Sequence, residues 1–300
     1  MGMLEIWIEV YGIGPSGKKA GRTRLKPKQN TRGINMRFVR MAAAAVAVLA
    51  TVGGATAKDW SKVRIGTEGA YPPFNSLTAD GQLVGFDIDI ANALCEEMKV
   101  ECEFVTQDWD GMIPALQAGK YDAIIASMSI TEERKQKVDF TNKYYNTPPA
   151  IGVPKDTKLT GVTKEDLSGI LLGAQSSTTH SNYAEAHFPD AELKLYPTAD
   201  EYKLDLENGR IDAVIEDVVV LSDWLATDNG ACCKVLSTLK SDPVINGEGA
   251  GIAIRKGEDE LKDKFNAAIE AIIANGKYKE INDKYFKFDV YGAEEDGAMK

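Results

Sequence analysis

Short apolar runs alternate with amphipathic stretches along most of this 300-residue chain, the pattern expected of parallel strands connected by helices. The first run, residues 62–67 (KVRIGT), passes into a polar, proline-containing loop over residues 68–76. From Phe86, apolar residues recur at helical spacing through Ile90, Ala91, Leu94, Cys95 and Met98, which predicts a core helix. Residues 103–106 read as the next strand, residues 110–118 as a helix stopped by Gly119, and residues 123–126 (AIIA) as a fully buried strand. A helix from Thr131 follows, and residues 142–154 then turn rich in Tyr and Pro, which predicts a linker near residues 147–149 and the start of a second unit. The order now recurs: strand 170–174, polar loop 175–179, helix to about His187, strand 193–196, helix 199–208, Gly209 and strand 212–215. Residues 241–251, with Pro243 and three glycines, read as a returning linker. Strand 252–254 and helices 259–275 and 278–286 then complete the first unit.

The recurrence is visible in letters: LQAGKYDAII at residues 116–125 aligns with LENGRIDAVI at residues 206–215. One supersecondary unit therefore occurs twice, with Ser127 and Asp217 at equivalent strand ends. The predicted fold is α/β and two-lobed, each lobe a mostly parallel sheet flanked by helices, with two hinge strands between them. Residues 58–147 and 249–300 would form lobe 1 and residues 148–248 lobe 2.

Composition narrows this picture. A chain with 44% hydrophobic and 27% charged residues is neither disordered nor fibrous. Its net charge is -10, and because residues 1–57 hold nine Lys+Arg against Glu5 and Glu9, the remainder carries -17, which gives no basis for binding nucleic acid or an anionic membrane. Residues 41–52 (MAAAAVAVLATV) are too few to span a bilayer; they follow Arg37 and Arg40 and precede Ala55-Thr56-Ala57, the order of a secretory signal. Such a signal would begin at Met36 and be cleaved after Ala57, leaving residues 1–35 as an upstream extension and sending the protein to the periplasm. No Cys stands near that cleavage point, so no lipid anchor is expected. Export implies an oxidising compartment. Cys95 ends a helical stripe and Cys102 begins the next strand, close enough for a bridge across the turn. Cys232 and Cys233 are adjacent, with Cα atoms about 3.8 Å apart, below the usual disulfide span, so their state stays open.

Candidate chemistry gathers at residues 121–134, YDAIIASMSITEER. Ser127 and Ser129 lie where a strand leaves its sheet, Ser129 to Glu132 has the form of a capping box, and a helix N-terminus favours an anion. Arg134 can grip a carboxylate with two parallel hydrogen bonds. Ser177, Thr178 and Thr179 in the second polar loop add donors, and Asp217 supplies an opposed anion, so the set suits the zwitterion of an α-amino acid. Glu68 and Tyr71 are candidates because they follow a strand's C-terminal end, where open α/β sheets bind ligands. Trp109 either closes the pocket or fills the core. His180 and His187 are seven residues apart, no metal-ligand spacing on one helix face, and read as solvated or capping. Ser177 has no evident base, so no catalytic set, metal or cofactor is expected.

The segments IGTEGAYPPF, LVGFDIDIANALC, WDGMIPAL, YDAIIASMSITEER, GRIDAVIED and YFKFDVYG together resemble the periplasmic amino-acid-binding proteins of the type 3 solute-binding family, especially the lysine/arginine/ornithine and histidine binders, over residues 60–292. The resemblance implies a type II periplasmic binding protein fold and a monomer that hands a free amino acid to an inner-membrane ABC transporter permease. It implies a Cys95–Cys102 bridge at the family's spacing. It further implies that Arg134, Ser127, Ser129 and Thr178 or its neighbours hold the ligand carboxylate, that Asp217 holds the ammonium, and that Tyr71 and Trp109 hold the stem, with Met128 in the same set. Three positions depart from the family pattern: Glu68 stands where Asp is usual, Ala126 where a Ser often holds ligand, and Ser176 where Gly is common. Glu68 is the one acid the motif places at the side-chain end, which predicts lysine, arginine or ornithine as ligand. A neutral amino acid or an opine is the alternative, and an enzyme like the cyclohexadienyl dehydratases would need Glu68 as general acid.

Overall fold

The computed structural model describes residues 58–292, so the extension and export signal expected within residues 1–57 lie outside the described residues. Strand β1 (Lys62–Thr67) is followed by a small antiparallel ribbon of β2 (Ala70–Tyr71), β3 (Asn75–Leu77) and β4 (Leu83–Val84). Then come α1 (Phe86–Met98), β5 (Glu101–Thr106), α2 (Met112–Gln117), β6 (Ala123–Ile124), α3 (Glu132–Lys135) and β7 (Asp139–Tyr145). The second half runs through β8 (Pro149–Pro154), β9 (Leu171–Gln175), α4 (Thr179–His187), β10 (Glu192–Tyr196), α5 (Ala199–Glu207), β11 (Ala213–Asp217), α6 (Val218–Leu225) and β12 (Cys233–Thr238). The chain returns through β13 (Ala250–Ile254) and ends in α7 (Asp259–Ala274) and α8 (Lys277–Tyr285).

Two five-stranded sheets result, ordered β5-β1-β6-β13-β7 and β10-β9-β11-β8-β12. In each, a βαβαβ series supplies three parallel strands, and the fourth strand runs antiparallel, contributed by the segment that crosses between halves. The register repeats too: Ile65 and Gly66 of β1 pair with Ala123 and Ile124, as Leu172 and Gly173 of β9 pair with Ala213 and Val214. The repeat read from the letters is thus the third strand of both sheets. Right-handed βαβ crossovers put the strand C-termini of each sheet on one edge, and the loops there carry the candidate residues.

Burial explains the elements. Ile65, Phe86, Ile90, Leu94, Phe265, Ile269 and Ile254 enclose the first sheet, and Ile151, Leu172, Ala213 and Ile215 the second. An aromatic block stiffens the approach to the crossing: Phe74 stacks on Tyr145 at 4.5 Å, and both contact Phe86. The chain leaves the first sheet at Tyr145 and enters the second at Pro149; it comes back between Thr238 and Ala250. Cys95 of α1 bridges Cys102 of β5 with 6.2 Å between Cα atoms. Cys232 and Cys233 are paired with each other.

One local expectation is overturned. Ser129 does not open a helix; its backbone bridges Ala250 of the returning segment, and Ile130 N donates to Gly249 O at 2.8 Å. Thr131 is the N-cap instead, its hydroxyl accepting from Arg134 N at 3.2 Å, and α3 is only four residues long. The long-range pairing of residues 128–130 with residues 248–251 outcompetes the local cap. The segment is held extended, and Arg134 is carried on a short turn anchored to β13.

Candidate functional site

Loops from both sheets meet in one cleft lined by Glu68, Tyr71 and Trp109, by Ala126, Ser127, Ser129 and Arg134, and by Gln175, Thr178, Thr179 and His180. Arg134 is buried. Its Nη1 donates to Ser129 O and its Nη2 to Ser177 O, both at 3.1 Å, so one guanidinium touches both halves. Its Cζ lies over the Trp109 ring, 5.2 Å from the ring centroid, and Trp109 Nε1 donates to the same Ser177 carbonyl at 3.1 Å. Among the described residues Arg134 meets carbonyls and no carboxylate, and burial pulls its pKa down to about 10. A buried cation without a counter-charge is costly unless an anion arrives.

The donors for that anion differ from the expectation at three residues. Ser177 has φ 57, a left-handed conformation uncommon for a non-glycine residue, which turns its carbonyl onto Trp109 and Arg134 while its side chain stays exposed. Its contribution is therefore its main chain, not its hydroxyl. Ser127 also has positive φ, 55, and its hydroxyl donates to the buried Asp87 at 2.9 Å, so toward the cleft its Oγ presents lone pairs and no proton. Met128 packs with Met112, Leu116 and Val138 and lines an outer groove; it is absent from the inner cleft. The helix N-terminus at the cleft is that of α4. Thr178 and Ser181 cap it reciprocally, and Thr178, Thr179 and His180 line the cleft together with Arg134.

Asp217 is the N-cap of α6: Oδ1 accepts from Val219 N at 2.7 Å, and Oδ2 from the Thr147 hydroxyl of the crossing segment. It lines an adjoining part of the same space with Tyr71, Ser127, Tyr145 and Thr179. Its neighbour Glu216, which sequence reasoning missed, accepts from Tyr71 OH and from Asp217 N, each at 2.6 Å. The first of those bonds joins the two halves. Burial pushes Glu216 up to about 8 and Asp217 up to about 6. His180, expected in solvent or as a cap, sits at the cleft with Nδ1 3.4 Å from Glu216; burial, aided by the positive charge of Arg134, lowers it to about 4, so it is a neutral wall at pH 7. His187 is exposed and pairs with Asp242.

Glu68 follows β1 and accepts from Gln175 Nε2 across the cleft at 2.7 Å. Among the described residues it forms no ion pair, though its charge reaches the buried Lys203, whose pKa it raises against the lowering by burial. Burial raises its pKa from 4.5 to about 7, and the acids at the mouth, Asp108, Asp200 and Asp110, push it further in the same direction. Asp110 also accepts from Ser176 Oγ at 3.0 and 3.2 Å, another link between halves. Ala126, where the family expectation is a serine, lines the cleft. The described residues hold no cluster of His, Cys, Asp and Glu arranged for a metal ion.

Two α/β lobes of matching topology, with hydrogen bonds passing directly between them around a charged cleft, define a two-lobed periplasmic binding protein fold. The model for bacterial extracellular solute-binding proteins, family 3, matches residues 63–288, and the chain belongs to that family. It is 53% identical over 234 residues to the L-arginine-binding protein of Pseudomonas aeruginosa, covering 77% of this chain and 90% of that protein. It is 40% identical to ABC transporter arginine-binding protein 1 of Escherichia coli K12, over 78% of this chain and 93% of that protein. Among solved structures, an ancestral arginine-binding protein bound to arginine superposes with a TM-score of 0.70 at 38% identity, covering 75% of this chain and 98% of that one. Among the described residues no helix is long and apolar enough to cross a membrane.

Proposed function

We propose that this chain is the periplasmic solute-binding component of an ABC amino-acid importer, closing around one free basic amino acid. A single observation carries the reading: Arg134 and Glu68 line the same cleft, and among the described residues neither has an ion-pair partner. A molecule with a carboxylate at one end and a cation at the other satisfies both, and a neutral side chain leaves Glu68 unpaired. In this assignment the ligand carboxylate lies between the Arg134 guanidinium, the Ser129 hydroxyl and the α4 N-terminus with Thr178 and Thr179. The α-ammonium lies toward Asp217 and the Ser127 oxygen. Tyr71 and Trp109 flank the stem, and Glu68 takes the distal cation. The names of the similar proteins, which state arginine, support the same class of ligand.

The remaining parts of the proposal follow from that role. The lobes divide as residues 58–147 with 249–300 and residues 148–248, the segment from Met36 to Ala57 exports the chain, and the protein works as a monomer that docks on an inner-membrane permease. It catalyses no reaction. A thermal-shift screen of the purified protein against all amino acids tests the class. Ligand at a hundredfold over its dissociation constant adds about 2.7 kcal/mol. That moves the melting midpoint by roughly 2 to 4 °C per kcal/mol for a protein of this size. Lysine, arginine or ornithine should shift the midpoint; no shift with any amino acid contradicts the proposal.

A further inference from the structure

Asp87 lies in the first turn of α1, fully buried, and among the described residues its carboxylate forms no ion pair. Three donors from other elements meet it instead. Tyr144 OH of β7 donates to Oδ1 at 2.8 Å, and Asn75 Nδ2 of β3 and Ser127 Oγ donate to Oδ2 at 2.8 and 2.9 Å. Gly69 N donates to Asn75 Oδ1 at 2.8 Å, so the amide turns its N–H side to Asp87. The Tyr144 oxygen accepts from Ser127 N at 3.0 Å. Burial raises the pKa of Asp87 to about 6 while the bonds from Tyr144, Asn75 and Ser127 hold it down, so the group is ionised at pH 7. An ionised carboxylate only accepts. Both protons that Ser127 could offer, its main-chain N–H and its hydroxyl, are therefore spent in the core behind the cleft wall, and the same two bonds hold this non-glycine residue at φ 55.

We propose that Asp87 is a positioning residue for amino-acid binding: it holds the Ser127 hydroxyl proton turned into the core, so that the Ser127 oxygen only accepts and orients the ligand by its α-ammonium. This rests on the amino-acid-binding reading above and deepens it. A serine hydroxyl free to rotate offers a proton or a lone pair and adapts to either kind of group. Pinned by a carboxylate, it offers lone pairs alone, and the charge-assisted bond behind it makes that oxygen a better acceptor. A ligand carboxylate placed there would set acceptor against acceptor, whereas an ammonium finds Ser127 Oγ and Asp217 lining one part of the space. Asp87 thus fixes which end of the amino acid faces Arg134 without touching the ligand.

Isothermal titration of arginine and of lysine into the wild type, Ser127→Ala, Asp87→Ala and the double variant is the test, with circular dichroism and melting curves checking the fold. Asn75 keeps its bond to Gly69 in Asp87→Ala, so the loop that carries Glu68 keeps its anchor and the Ser127 proton is what is released. A hydrogen bond to a charged group supports about tenfold or more in affinity. Asp87→Ala should weaken binding by that factor when Ser127 is present and by less than threefold when residue 127 is already alanine, since no hydroxyl proton remains to be placed. A purely structural role would weaken binding equally in both backgrounds. Equal losses therefore overturn the proposal, as does an Asp87→Ala protein that binds within threefold of wild type. Ser127→Ala guards against an Asp87 variant that fails to fold: it should itself bind about tenfold or more weaker, and binding within threefold of wild type overturns the role given to the Ser127 oxygen. These outcomes leave the proposed function standing, whereas a wild type that binds neither arginine nor lysine refutes both.

Discussion

Arg134 shows what one residue does at this cleft. Its guanidinium donates to carbonyls of different lobes, and in the proposed assignment the rest of its fork receives a ligand carboxylate. Lysine offers a charge and no fork, and breaking a buried charge pair costs about 3 to 5 kcal/mol. Arg134→Lys should therefore weaken amino-acid binding about a hundredfold or more by titration calorimetry while the unliganded protein melts within a few degrees of wild type. Binding within threefold of wild type would show that the arginine does not hold the ligand. Arg134, Tyr71, Trp109 and Glu68 were legible because charge and aromatic character stand out in a loop at a strand end. Gln175, Glu216 and His180 were not. Gln175 meets Glu68 from 107 positions away, and Tyr71 reaches Glu216 from 145 away, so neither partnership leaves a local trace. A histidine at the second position of a helix reads as solvent-facing until the opposite lobe covers it.

At the level of elements, helices with clear apolar periodicity are legible nearly to their ends: α1, which a left-handed Lys99 closes, and α7, which Asn275 and Gly276 follow. The segments missed are those without punctuation. Strand β11 runs into α6 at Asp217 with no Gly or Pro between, so the run from Ala213 to Leu221 does not show where strand becomes helix. Strands β7 and β8 are hidden in the Tyr- and Pro-rich crossing, where long-range pairing supplies the structure, β7 with β13 of the returning chain and β8 with β11 and β12. Gly85 is where local geometry is most demanding. It is the N-cap of α1 with φ 128 and ψ 176, a region essentially reserved for glycine, and a Cβ there would lie 2.3 Å from Phe74 O. Gly85→Ala should cost about 1 to 3 kcal/mol and lower the melting midpoint by roughly 2 to 4 °C per kcal/mol. An unchanged midpoint would mean that α1 can shift without cost, against the packing of Phe86 and Ile90.

For the whole molecule, the internal repeat was the most informative signal, since ten aligned letters anticipated two sheets of the same strand order. How the lobes face each other was not in the letters, because it depends on crossing segments whose conformation is set by partners in both halves. Stability should carry the imprint of that closure. Glu68 and Glu216 ordinarily titrate near 4.5, and burial pushes them up to about 7 and about 8. Between those values the folded protein keeps protons that the unfolded chain has released, so ligand-free stability falls as pH rises. Below 6.5 the neutral His180, lowered to about 4, acts in the opposite sense, because there the unfolded chain takes up its proton. The melting midpoint without ligand should therefore drop between pH 6.5 and 8, and Glu68→Gln/Glu216→Gln should flatten that slope. A midpoint that rises over this window would contradict the burial of these carboxyls.

The central claim is that the closed cleft is completed by a ligand carrying both a carboxylate and a distal cation, received by Arg134 and Glu68. Isothermal titration of arginine, lysine, ornithine, glutamine, glutamate and leucine into the wild type and Glu68→Gln tests it most directly, since that variant keeps the shape and removes the charge. The account predicts saturable binding of the basic amino acids alone by the wild type, and a loss of about tenfold or more for them in Glu68→Gln. A wild type that prefers glutamine, or a Glu68→Gln protein that binds basic amino acids as tightly as wild type, would contradict it.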